Sequence, residues 1–76
     1  MEYPSKSILS HRETEVLKLI VCEQSSEQIA FELGISRRTV ETHRQHIAQK
    51  LGTTSLIAFV KYAIKMGWIT DYHFDS

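Results

Sequence analysis

Residues 29–51 read IAFELGISRRTVETHRQHIAQKL, and their spacing organises everything around them. Ile29, Ala30 and Leu33 form a short apolar stripe at helical spacing that stops at Gly34, the residue best suited to the left-handed turn after a helix. Ile35 follows, and Ser36 can cap a longer helix with core positions Val40, Ile47 and Leu51 and with His43 or Arg44 between them. A short helix, a tight glycine turn and a longer helix make a helix-turn-helix geometry. Apolar residues on both sides of the turn lock the crossing and leave the second helix's opposite face free. On that face lie Arg38, Glu41, Thr42, Gln45 and Gln49, with Arg37 at the start and Arg44 and Lys50 on the flanks. Arginine and lysine can meet phosphates, whereas Thr42 and Gln45 can address base edges.

Working outward, Ser10 with Glu13 predicts a capping box and the start of a first helix, whose stripe is Val16, Leu17, Ile20 and Val21. Ser25 with Gln28 repeats the signal for the second helix. After Gly52, Thr54 or Ser55 can cap a fourth helix carrying Leu56, Ile57, Phe59, Val60, Ala63 and Ile64 up to Gly67, with Trp68 and Ile69 folding back on its last turn. Neither strict alternation nor a hairpin signal is present, and the one proline, Pro4, precedes the first helix. The expected fold is all-α, a four-helix bundle containing a helix-turn-helix, at residues 9–70, between a flexible N-terminal segment 1–8 and a tail 71–76.

Composition narrows the function. At 76 residues, 42% hydrophobic and 24% charged, the chain suits one globular domain, with little room for a catalytic cleft. It has no Gly-rich phosphate loop, nucleophile motif or placed acid pair, so no enzymatic activity and no cofactor are expected. No apolar run approaches the roughly 20 residues that span a bilayer, so no membrane association and, by default, a cytoplasmic location are expected. The lone cysteine, Cys22, reads as a small buried hydrophobe. His43 and His46 could share a metal ion, but without nearby cysteine or a placed carboxylate a DNA-facing or half-buried role is preferred, and no metal is expected.

Net charge is zero, from nine basic and nine acidic side chains, yet the distribution is uneven. Residues 12–32 carry Arg12 and Lys18 against Glu13, Glu15, Glu23, Glu27 and Glu32, whereas residues 36–50 carry Arg37, Arg38, Arg44 and Lys50 against Glu41 alone. The second segment can offer phosphates a local positive face, or be a solvated helix surface.

In detail, Leu9-Ser10-His11-Arg12-Glu13-Thr14-Glu15-Val16-Leu17 resembles the opening of LuxR/FixJ-type output domains. Ile29-Ala30, Leu33-Gly34-Ile35-Ser36, Thr39-Val40-Glu41-Thr42-His43-Arg44, Ile47 and Lys50-Leu51-Gly52 are similar to their central helix-turn-helix, and the likeness runs from Leu9 to Ile69. The resemblance implies sequence-specific binding of double-stranded DNA by a bacterial transcriptional regulator of the NarL/FixJ response-regulator kind. In that family a receiver or ligand-binding domain precedes the output domain; an excised output domain and a small stand-alone regulator both fit. It further implies that a recognition helix at about residues 36–51 enters the major groove and that a fourth helix at about 55–66 makes a homodimer contact. By position in the motif, Glu41, Thr42 and Gln45 face bases, and Arg37, Arg38, Thr39, Arg44 and Lys50 contact the DNA backbone. RNA polymerase is a further candidate partner.

Three departures from the family pattern stand out. Glu41 replaces a common lysine, and either accepts from a cytosine amino group or repels phosphate. His11 replaces a frequent proline, and Cys22-Glu23-Gln24 replaces a small, glycine-containing turn. Leu56, Ile57 and Ala58 make the fourth helix more apolar than one core stripe requires; the surplus either widens the core or, with Ala58, Lys61, Tyr62 and Lys65, borders a two-fold dimer contact. The rival to the DNA reading is a helical protein-interaction or sigma-factor-like module contacting the transcription machinery.

Overall fold

The structure, a computed structural model, describes residues 8–69. Each of its helices starts at a serine. Ser10 opens α1 (His11–Val21) with a full capping box: its hydroxyl accepts from the Glu13 backbone N–H at 3.1 Å, and Glu13 Oε1 accepts from the Ser10 N–H at 2.9 Å. Ser25 and Gln28 build the same box for α2 (Ser26–Leu33), at 3.1 and 2.8 Å. Ser36 caps α3 (Arg37–Leu51) by accepting from the Thr39 N–H at 3.0 Å, and Ser55, rather than Thr54, caps α4 (Leu56–Lys65) through the Ala58 N–H. The order is α1-α2-α3-α4, with no strand among the described residues.

Two of the stops are glycines in the left-handed conformation, Gly34 after α2 and Gly52 after α3. A side chain at Gly34 would meet nothing within 4 Å, so backbone conformation rather than space requires glycine there. The stop of α1 is different. Cys22 caps it, and Glu23 takes a left-handed φ of 64°, with its N–H donating to the Ile20 carbonyl at 2.8 Å. This is what Cys22-Glu23-Gln24 does in place of glycine, at a steric cost for a residue with a Cβ.

Cys22 is exposed, which corrects the expectation of a buried thiol. It lies four residues beyond exposed Lys18, on the outward side of α1, whereas the buried stripe ends at Ile20 and Val21. Of the expected terminal segments 1–8 and 71–76, all but residue 8 lie outside the described residues, as does residue 70 of the expected domain; Ile8 is exposed and Leu9 buried.

The core joins Val16, Leu17, Ile20 and Val21 of α1, Ile29 and Ala30 of α2, Val40 and Ile47 of α3, and Phe59, Val60 and Ala63 of α4. α1 contacts the other three helices, and α2 packs on α3. Beyond α4 the Trp68 N–H donates to the Ala63 carbonyl at 2.9 Å, which folds the chain back as the glycine stop at Gly67 demands. Trp68 then meets Tyr62 edge to face, and the Lys18 ammonium lies 5.3 Å from its ring centroid.

Candidate nucleic-acid interface

α3 is anchored by very little. Val40 and Ile47 are fully buried, Leu51 is half-buried, and two side chains fill the turn between the anchors, His43 and Arg44, both half-buried. With the anchors seven residues apart, two turns of helix separate them and the outer face is left to solvent. Arg38, Glu41, Thr42, Gln45 and Gln49 are all exposed there. Arg38, Glu41, Thr42, Arg44, Gln45 and Ala48 of α3 line one shallow hollow together with Thr54 and Phe59. The structure therefore brings the three base-facing candidates, Glu41, Thr42 and Gln45, onto one surface with two of the arginines.

The local bonds set what each side chain can offer. The Thr42 hydroxyl donates to the Arg38 carbonyl at 3.1 Å, so its proton is used within the helix and exposed Thr42 has its methyl and its oxygen, as an acceptor, to offer. Thr39 is exposed and bonded through its hydroxyl to Ser36 at 2.9 Å, so it sits at the start of the recognition helix as part of the cap. The helix N-terminus also presents unpaired backbone N–H groups, a favourable setting for a phosphate beside Arg37 and Arg38.

Charge is only partly free. Arg37 pairs loosely with Glu41 at 4.0 Å, both side chains well exposed. Lys50, expected among the backbone contacts, donates instead to Glu13 Oε1 of α1 at 2.8 Å. Arg38 and Arg44 carry no ion pair among the described residues, so they supply the uncommitted positive charge of the face.

Glu13, expected only as the partner of Ser10 in the cap of α1, has a second role that sequence spacing did not show. It is the one buried charged residue among the described residues, and it accepts at once from the Ser10 N–H and from Lys50, with His46 Nδ1 at 3.9 Å. The hydrogen bond from Lys50 dominates in pulling its carboxyl below the usual carboxylate range; burial opposes this, and the Ser10 N–H adds to it. One carboxylate thus closes the N-terminal cap of α1 and ties down the C-terminal turn of α3. Lys50 is 37 positions away in sequence, and spacing carries no trace of that contact.

The expected dimer residues lie along α4. Lys61 and Lys65 are exposed, Ala58 is half-buried, and Tyr62 is half-buried against Trp68. Of the apolar surplus, Leu56 and Ile57 are 44% and 59% exposed while Ala58 is half-buried, and Ile64 further along is 43% exposed. Ile57, Lys61, Ile64 and Lys65 follow helical spacing, so they share one side of α4. Among the described residues no group of three or more histidine, cysteine, aspartate or glutamate side chains could hold a metal ion, and no helix is long and apolar enough to cross a membrane.

A four-helix domain with one sparsely anchored helix after a glycine turn is a helix-turn-helix module. Residues 7–63 match the model of the bacterial regulatory proteins of the luxR family, and the chain belongs to that family. It is 44% identical over 68 residues to the uncharacterized response regulatory protein YgeK of Escherichia coli (strain K12), covering 90% of this chain and 46% of that protein. It is 40% identical over 62 residues to the transcriptional regulatory protein MctR of Rhizobium johnstonii (strain DSM 114642 / LMG 32736 / 3841), covering 82% and 29% respectively. To the oxygen regulatory protein NreC of Staphylococcus aureus (strain JH9) it is 47% identical over 58 residues, 76% of this chain and 27% of the other. The chain spans less than half the length of these relatives. Membership makes it a DNA-binding, helix-turn-helix domain of transcription regulation; the family is not a class of enzymes.

Proposed function

We propose that the chain reads a specific duplex sequence by seating α3 in the major groove, as the output domain of a bacterial transcriptional regulator in the cytoplasm. The observation that carries this reading is the asymmetry of α3: Val40 and Ile47 fully buried on one side, Glu41, Thr42 and Gln45 exposed on the other between Arg38 and Arg44. Gln45 can bond N6 and N7 of an adenine together on its major-groove edge, the Thr42 methyl can meet a thymine methyl, and Glu41 can accept from a cytosine amino group. Arg37, Arg38, Thr39 and Arg44 hold phosphates and set the register. Lys50 joins them with part of its charge already met by Glu13, through the N–H groups that Glu13 leaves free.

Two copies bind together through the exposed apolar side of α4, with Ala58, Lys61, Tyr62 and Lys65 bordering the contact. A two-fold pair then matches inverted half-sites about one helical turn apart. RNA polymerase is the partner on which a regulator so placed acts.

Selection from a random duplex library, followed by salt titration of the winning site, tests the reading. About three to six phosphates per subunit predict a steep fall of affinity with salt. Gln45→Ala should relax sequence preference by about 1–3 kcal/mol at one base pair, whereas Arg44→Ala should weaken all sequences alike. No enrichment over random duplex would refute the reading, and equal affinity for single and paired half-sites would refute the dimer.

A further inference from the structure

The outer face of α2 is the opposite of that of α3. Between Leu19 and Ser36 the chain holds Glu23, Glu27 and Glu32 and no lysine, arginine or histidine. α2 turns Ile29 and Ala30 into the core and leaves Glu27, Gln28, Phe31 and Glu32 exposed. Phe31 is 91% exposed, more than any other large hydrophobic side chain among the described residues. Gln24, Glu27, Gln28, Phe31 and Glu32 line one shallow hollow. Glu23, Glu27 and Glu32 carry no ion pair among the described residues.

The fold does not account for this face. An aromatic ring left in water contributes nothing to the core, and phenylalanine forms helix less readily than alanine or lysine. Glu32 stands in the last turn of α2, where the helix dipole disfavours negative charge. DNA does not account for it either, since uncompensated carboxylates repel phosphate. An aromatic anchor ringed by acids is instead the complement of an apolar pocket ringed by bases. Proteins that bind DNA beside a regulator carry basic surfaces for that purpose.

We propose that the Phe31 face of α2 docks a protein of the transcription machinery, Phe31 entering an apolar pocket and Glu27 and Glu32 pairing with lysines or arginines at its rim. The proposal rests on the DNA-binding reading, because DNA brings the two proteins side by side. It adds a second surface to the domain, chemically separate from the one that faces the duplex.

The test uses the full chain, purified bacterial RNA polymerase holoenzyme and a promoter duplex carrying the selected site. Phe31→Ala and the double change Glu27→Lys with Glu32→Lys are compared with wild type, first on duplex alone, then with polymerase. Alanine is the better helix former, so Phe31→Ala should leave helix content and thermal midpoint intact. The expected result is unchanged DNA affinity for Phe31→Ala and about a tenfold loss of cooperative polymerase binding for both variants, the size of a truncated interface anchor. Equal recruitment by wild type and variants, or none by wild type, would overturn the docking while leaving DNA binding intact. A Phe31→Ala loss on duplex alone would assign the face to DNA, and a self-association of wild type abolished by Phe31→Ala would assign it to a second copy; either overturns the proposal. A wild type that binds no duplex specifically would sink the DNA reading itself.

Discussion

α1 and α3 spend their residues in opposite ways. α1 buries five of its eleven residues, Glu13, Val16, Leu17, Ile20 and Val21, and contacts every other helix. α3 is longer, fifteen residues, and buries two. In so small a domain apolar burial is scarce, and concentrating it in one helix frees another to be almost all surface. The pair teaches that the scaffold and the reader are separate helices here, joined by core packing at Val40 and Ile47 and by one ion pair between Glu13 and Lys50.

The sharpest way to break that comparison is to truncate each helix in turn. Leu17→Ala removes a fully buried side chain and should lower stability by about 2–5 kcal/mol, much of what a domain this size has. Gln49→Ala, on the exposed face of α3, should change it by less than about 0.5 kcal/mol. Urea denaturation of both variants measures the contrast, and similar losses would show that α3 is anchored by more than its two buried residues.

Glu13→Gln probes the link between the helices. The glutamine carbonyl can still accept from Ser10, so the cap survives and the charge toward Lys50 is lost, with an expected cost of about 1 kcal/mol. Because the carboxyl of Glu13 titrates lower in the folded chain, its contribution is fully present above the ordinary carboxylate range and disappears as the pH falls through the lowered folded value. Thermal midpoints of wild type and Glu13→Gln should therefore differ at neutral pH and converge in acid. A difference independent of pH would mean that the charge is not what ties α3 to α1.

The turn after α1 should move stability in the other direction. Glu23→Gly relieves a left-handed φ in a residue with a Cβ and should add up to about 1 kcal/mol, read as a higher midpoint of urea unfolding. No gain would indicate that the turn is held by its backbone bonds to Leu19 and Ile20 rather than limited by the residue type.

Local chemistry was legible in the chain. Ser10, Ser25 and Ser36 cap where their spacing to the next helix said they would, Ser55 is the one of the two candidates Thr54 and Ser55 that caps α4, and the glycines at 34 and 52 stop the helices that precede them. The candidate face of α3 was legible too, because periodicity alone separates Val40 and Ile47 from Arg38, Glu41, Thr42, Gln45 and Gln49. What periodicity cannot carry is partnership across the fold. Lys50 stands beside Glu13 through packing of α1 on α3, and the loss of its free charge could not be read from either segment. Cys22 was misread because its residue type favours burial while its position, just past the stripe, does not. Phe31 shows the converse: an apolar residue adjacent to a buried pair can still face water.

The contact of Trp68 with Tyr62 and Lys18 gives the domain an optical reporter of its own. The chain has one tryptophan, and it sits where the segment after α4 closes over α1. Its emission follows that closure, while far-ultraviolet circular dichroism follows all four helices. Coincident melting curves from the two signals would mark a single cooperative unit, and an earlier fluorescence transition would time the release of the C-terminal flap ahead of the bundle.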